Sequence, residues 1–124
     1  MSVKFFSKLA PYLAGTGSTL VNLDENEIGT DDVAGQLLIY AADVISSVSN
    51  NEDLPALPDI ISQGIAGKLS GSARLAVILA SGPLSIAQFQ LAATHPRAAK
   101  ALKYVVQVLN AIAAGKPVPP APSF

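Results

Sequence analysis

PRAAKALKYVVQVLNAIAAG, residues 96–115, is the stretch that decides the fold. Apolar residues recur in it at alternating steps of four and three, and polar residues line the other side, as in an amphipathic helix packed on a core. Pro96 suits the first helical turn, and Gly115 suits the position just past the last one. The apolar positions are Ala98, Leu102, Val105, Leu109 and Ile112. This pattern predicts a long helix with one buried face.

The segment after this helix, residues 116–124, contains four prolines and cannot be helical. We expect an extended tail close to polyproline II, which loses little conformational freedom when it docks. Its apolar residues Val118 and Phe124 are the expected anchors. The sequence predicts that this tail lies in an apolar groove, on another copy of the chain rather than on its own.

A second strong helix is predicted from Thr30 to about Val48. Thr30 is a suitable N-cap, and Asp31 and Asp32 in the first turn complement the helix dipole. Apolar residues cover well over half of the circumference of this helix. It should therefore lie at the centre of the core.

Proline and glycine divide the rest of the chain into shorter pieces. We expect a helix over residues 2–10 that ends near Pro11, a turn over residues 15–18, and a weak helix over residues 59–69. The Gly82-Pro83 pair should separate one helix over residues 72–81 from another over residues 84–94. The prediction is an all-α protein: a compact bundle of about five to six short helices, in one domain over residues 1–115.

The composition favours association. Half of the 124 residues are hydrophobic and only 14% are charged, against roughly 25% in a typical soluble domain. A body this small exposes a large fraction of its surface, so a partner is the natural cover for the surplus. Gly67 and Gly71 would let helix backbones approach closely, and we expect them in contacts between copies.

The uncharged run over residues 75–94 reaches the length of a membrane span. Gly82-Pro83 in its middle argues against a single spanning helix, so a membrane-inserted helical hairpin remains an alternative that is not favoured. The N-terminus has no convincing signal peptide, because Pro11 and Gly15 interrupt its apolar stretch. A soluble or assembled protein is the favoured interpretation.

Residue types for catalysis are scarce. The chain has no cysteine, and His95 is its single histidine, placed before Pro96 where a capping or surface role is more common than a general base. The stretch over residues 15–19 resembles a phosphate-binding loop but lacks the Gly-Lys that should follow, so a turn is expected. The sequence predicts neither an enzyme nor a cofactor.

An acidic stretch is the one local pattern with ligand chemistry. Asp24, Asn26, Asp31 and Asp32 supply hard oxygen atoms around Gly29, as calcium loops require. The spacing departs from the EF-hand. A calcium site built on these four residues is one interpretation, and favourable capping and dipole interactions without a metal are the other.

Charge is segregated along the chain. All nine acidic residues lie between Asp24 and Asp59, whereas six of the eight basic residues follow Asp59. Either the two halves pack on each other, or opposite patches support a head-to-tail contact between copies. The acidic half makes nucleic-acid binding unfavourable.

Together these features predict a non-enzymatic structural protein that self-associates into a homo-oligomer or a larger assembly of the filament or virion type. A membrane-active, holin-like hairpin protein is the first alternative. A small ligand- or calcium-binding domain is the second.

Overall fold

The computed structural model describes residues 3–22, 30–50, 52–56 and 71–114, together with Lys116 and Pro119. These residues form four α-helices and no strand, which confirms the all-α class. The helices are α1 (Val3–Asn22), α2 (Thr30–Ser49), α3 (Gly71–Leu91) and α4 (Pro96–Ala113). The helix predicted over residues 59–69 lies outside the described residues.

The helices pack as two pairs. α1 lies against α2 to form the N-terminal helix pair, and α3 lies against α4 to form the C-terminal helix pair. Contacts between α2 and α4 join the pairs, so the predicted central position of α2 is confirmed. The largest fully buried side chains come from all four helices: Leu13, Leu37, Leu38, Val44, Ile45, Val77, Leu84, Leu91, Leu102, Val105, Val108 and Leu109.

The predicted break in the first helix is wrong. α1 runs through Pro11 and through the whole stretch over residues 15–18. The glycine at position 17 is needed for packing, because a Cβ there would lie 2.5 Å from the Gly35 carbonyl oxygen and 2.7 Å from Ile39 Cγ1. Close approach of two helices, rather than a turn, explains this glycine.

The predicted break at Gly82-Pro83 is also wrong, because α3 is one helix that contains Pro83. A proline inside a helix costs about 3 kcal/mol. The buried stripe of α3 continues across it at steps of three and four, so both halves pack on the same core. This stripe consists of Val77, Ala80, Leu84, Ala87 and Leu91. Merging the helices predicted over residues 72–81 and 84–94 removes one helix from the expected five to six. Since the helix predicted over residues 59–69 lies outside the described residues, four helices are described.

α4 confirms the strongest helix prediction. It begins at Pro96 and ends at Ala113, followed by Ala114, whose N–H donates to the Asn110 carbonyl over 3.0 Å. The Lys116 N–H then donates to the Ala111 carbonyl over 2.8 Å. These bonds satisfy carbonyls that the helix end would otherwise leave without donors.

The two helix pairs repeat one hydrogen-bonded motif. The Tyr40 hydroxyl donates to the Pro55 carbonyl over 2.9 Å, and the Tyr104 hydroxyl donates to the Pro119 carbonyl over 2.9 Å. Both bonds span 15 residues. We call them the tyrosine clasps, since each holds the segment after a central helix against that helix.

The sequences around the clasps also match. At the offset of 64 that relates Tyr40 to Tyr104, the same residue recurs at several further positions. The identical pairs include Leu20 and Leu84, Thr30 and Thr94, Ala34 and Ala98, Leu38 and Leu102, Tyr40 and Tyr104, Val44 and Val108, Pro55 and Pro119, and Pro58 and Pro122. The chain therefore carries an internal repeat whose unit is a helix pair followed by a clasped segment.

Candidate functional site

The outer side of α3 is an exposed apolar surface. Phe89 is 82% exposed, Leu75, Ile78 and Leu79 are each 58% exposed, and Ile86 is 51% exposed. We call these five residues, with Gly82 between them, the α3 face. The opposite side of the same helix is buried in the core. α3 is thus apolar on both sides, and its one charged residue is Arg74.

The α3 face follows the helix axis. Leu75, Gly82 and Phe89 are separated by seven residues, a spacing that returns to within about 20° of the same side of an α-helix. Ile78 and Ile86 lie four residues before and after Gly82, about 40° to either side. The side chains therefore form a straight seam about 21 Å long, from 14 steps of 1.5 Å.

The size of the α3 face sets it apart from scattered exposed residues. At the observed exposures its five large side chains present on the order of 500 Å² of apolar area, taking about 160 Å² for each fully exposed side chain. The largest apolar patch on a typical monomer is about 300–600 Å² and is often functional. The α3 face lies in the upper part of that range.

A cleft of about 400 Å³ lies where the end of α2 meets the start of α4. Glu52 and Asp53 line it from one side, and His95 and Arg97 line it from the other. This junction brings acidic residues of the first half of the chain to basic residues of the second half. The interpretation that the segregated charges let the two halves pack on each other stays a prediction.

His95 stands at the N-cap of α4, but its side chain makes no capping hydrogen bond. Its Nδ1 lies 3.0 Å from Thr94 Oγ1. The expected position at the helix start is confirmed, while the capping hydrogen bond is not formed. Pro96 at the first helical position supplies the favourable start instead.

Burial of the clasp tyrosines changes their acidity. Desolvation raises the pKa of Tyr40 from 10.0 to about 12, and desolvation also raises the pKa of Tyr104. Both phenols therefore remain protonated, and able to donate, well above neutral pH.

The structure describes two of the four predicted calcium ligands. Asp24 and Asn26 lie outside the described residues, whereas Asp31 and Asp32 lie in the first turn of α2. Within the described part of the chain, no group of three or more His, Cys, Asp or Glu residues is placed to hold a metal ion.

The predicted interface residues are largely untested by the geometry. Val118, Phe124 and Gly67 lie outside the described residues, and Gly71 is the first residue of α3. Pro119, between the two predicted anchors, is partly buried and accepts the Tyr104 hydrogen bond within its own chain. At this residue the tail is held by its own α4.

Sequence reasoning missed the α3 face because it divided residues 75–94 at Gly82-Pro83. The signal was present as two interleaved apolar stripes in one uncharged run. A helix with only one stripe needs a core, whereas a helix with two stripes needs a core and a second partner.

The chain matches no protein-family model, no curated protein and no solved structure. Among the helices described, none is long and apolar enough to cross a membrane.

Proposed function

We propose that this chain is a non-enzymatic structural protein that self-associates into a homo-oligomer, with the α3 face as its contact surface. The observation that carries the proposal is the exposure of five large apolar side chains along one seam. By contrast, the water-facing side of α4 carries polar and charged residues. The exposed residues of α4 include Lys100, Lys103, Gln107 and Asn110.

Covering the α3 face with a partner would remove its apolar surface from water, which is favourable in free energy. Each square ångström of apolar surface taken out of water contributes about 25 cal/mol. Phe89 stands out most, because 82% of it lies in solvent although fully burying such a side chain stabilises by about 1.5–3 kcal/mol. Phenylalanine is also one of the aromatic residues that are enriched at protein interfaces.

A protein partner fits the α3 face better than a lipid surface does. Helices that lie on membranes combine an apolar side with a side rich in lysine and arginine. The side of α3 opposite the exposed face is instead buried in the core, and Arg74 is its single cation. A membrane-active role is the second candidate, since the exposed face is also compatible with insertion into the bilayer interface.

Size-exclusion chromatography with light scattering, without detergent, tests the proposal. The wild-type chain should run as an oligomer, and its assembly should persist at high salt because apolar contacts are not screened. Phe89→Asp would bury an unpaired charge in the contact, and we expect it to raise the dissociation constant by about two orders of magnitude or more. Gln107→Asp adds the same charge on the exposed side of α4 and should leave assembly unchanged.

The outcomes are distinct. A wild-type chain that stays monomeric at high micromolar concentration would overturn the proposal. If that monomer also sediments with vesicles of phosphatidylcholine and phosphatidylglycerol, and Phe89→Asp abolishes sedimentation, the membrane-active role replaces it. Equal loss of assembly in Phe89→Asp and Gln107→Asp would place the contact elsewhere.

A further inference from the structure

We propose that two copies pair through their α3 faces in antiparallel orientation, around a twofold axis that passes next to Gly82. This arrangement rests on the proposed self-association and specifies its geometry. It is argued from the spacing, the charge and the area of the α3 face.

The spacing of the large side chains is symmetric about Gly82. Leu75 and Phe89 lie seven residues before and after it, and Ile78 and Ile86 lie four residues before and after it. A second copy running in the opposite direction places Phe89 opposite Leu75 at both ends. Four of the five large residues then meet a large residue, and Leu79 meets Ser85, so the contact is self-complementary along most of its length.

Gly82 supplies the point of closest approach. A Cβ built at this position would meet no atom within 4 Å, so the helix surface there is open. Without a side chain at the centre, the two α3 backbones can come close together, as small residues allow at other helix crossings. The flanking side chains of one copy can then reach the other copy.

Charge distinguishes antiparallel from parallel pairing. Arg74 is the one charged residue of α3, and it precedes the α3 face directly. Parallel pairing would place the two Arg74 guanidinium groups side by side without an acidic residue on either α3. Antiparallel pairing moves them to opposite ends, about 24 Å apart along the axis at 1.5 Å per residue. Like charges at that distance are largely screened by physiological salt.

The buried area is sufficient for a specific contact. Two copies that each cover on the order of 500 Å² would bury about 1,000 Å² in total, which is near the lower limit for a biological interface. If one α3 face instead packed on an ordinary polar surface, the contact would bury less apolar area than two α3 faces do. The area therefore favours a second copy of the same face as the occupant.

Disulfide trapping tests the orientation directly, because the chain has no cysteine of its own. Leu75→Cys and Phe89→Cys are purified separately, the second with a mass tag, and then mixed under mild oxidation. Antiparallel pairing brings position 75 of one copy opposite position 89 of the other, within the Cα separation of about 7 Å that a disulfide allows. Each variant alone keeps its two thiols about 21 Å apart along the axis.

We expect a disulfide-linked heterodimer in the mixture, at least tenfold more abundant than homodimers in either variant alone. Efficient homodimer trapping in each single variant would show parallel pairing and overturn the arrangement. Dimers seen by light scattering that give no trapped product would also overturn it, while leaving self-association intact. If neither the wild-type chain nor the variants form a dimer, the proposed self-association itself would be overturned.

Thermal unfolding of Phe89→Asp provides the second measurement. At a concentration where the wild-type chain is monomeric, the variant should unfold within about 2 °C of it, because a surface change costs at most about 0.5 kcal/mol. A much lower Tm would mean that the α3 face is packed within its own chain, which contradicts the inference.

Discussion

The N-terminal and C-terminal helix pairs share one plan and differ on their outer helices. At the offset of 64, exposed Pro11, Gly15 and Ser18 of α1 correspond to exposed Leu75, Leu79 and Gly82 of α3. At two of these three positions α1 carries proline or glycine where α3 carries leucine. The repeat preserves the inner helices and their clasps, and leaves the outer surface of each pair free to diverge.

The pairs also differ in how closely their helices approach. Gly17 of α1 packs against the backbone of α2, whereas the corresponding residue of α3 is Ser81, whose hydroxyl donates to the Val77 carbonyl over 2.8 Å. The C-terminal helix pair therefore accommodates a side chain where the N-terminal pair does not. The N-terminal pair is in close contact at Gly17, and the C-terminal pair exposes the α3 face.

The largest expected effect tests the close approach in the N-terminal pair. Gly17→Ala should destabilise the fold by about 2 kcal/mol, because the new Cβ meets the Gly35 carbonyl oxygen and Ile39, and overpacking of this kind costs about 1–3 kcal/mol. Denaturant unfolding followed by circular dichroism measures it. Gly15→Ala, two residues away with nothing within 4 Å, should stabilise the fold by up to about 1 kcal/mol.

Ser81→Ala completes that comparison in the other pair. It removes one local hydrogen bond and should change stability by less than about 1 kcal/mol. Equal losses for Gly17→Ala and Ser81→Ala would contradict the difference in helix approach.

The next effect tests whether the two tyrosine clasps are equivalent. Tyr40→Phe and Tyr104→Phe each remove the donor to a proline carbonyl, and each should cost about 1 kcal/mol in the free energy of unfolding. Tyr12→Phe serves as the control, because Tyr12 is 42% exposed on α1, and its cost should be near zero. If only one of the two variants lost stability, the two clasps would share a geometry but would not contribute equally to the free energy of unfolding.

The last test concerns alkaline pH. Burial raises the folded-state pKa of Tyr40 from 10.0 to about 12, so the unfolded chain releases this proton at lower pH than the folded chain. The stability contributed by neutral Tyr40 is fully present below pH 10 and is lost between pH 10 and 12. The difference in unfolding free energy between wild type and Tyr40→Phe should shrink over that interval. A constant difference would contradict the assigned burial.

Periodicity was sufficient to predict the inner helices. α2 and α4 each carry one continuous apolar pattern with favourable residues at their starts, and local preference and core packing agree there. The outer helices were divided at Pro11 and at Gly82-Pro83 because both residues are unfavourable inside a helix. Packing of α1 on α2 and of α3 on α4 outweighs that local preference. The stabilisation from helix packing cannot be read from the periodicity of the sequence.

The sequence predicted that the chain has a contact surface for a partner, but it did not predict where that surface lies. The excess of apolar over charged residues predicted a partner, yet the expected contact residues were Val118, Phe124, Gly67 and Gly71, and the surface that the structure exposes lies on α3. Residues 75–89 contain two apolar stripes, and the sequence does not show which of them faces the core. Only the arrangement of the other helices decides which stripe becomes core and which remains outside.

The tyrosine clasps give the molecule a built-in optical reporter. The chain has no tryptophan and three tyrosines, and two of these three hydroxyls are the clasp donors. Near-ultraviolet absorption of the unlabelled protein is therefore dominated by groups that sense whether the segments around Pro55 and Pro119 are held. Release of either segment can be followed in real time without attaching a dye, and the phenylalanine variants assign each part of the signal to one clasp.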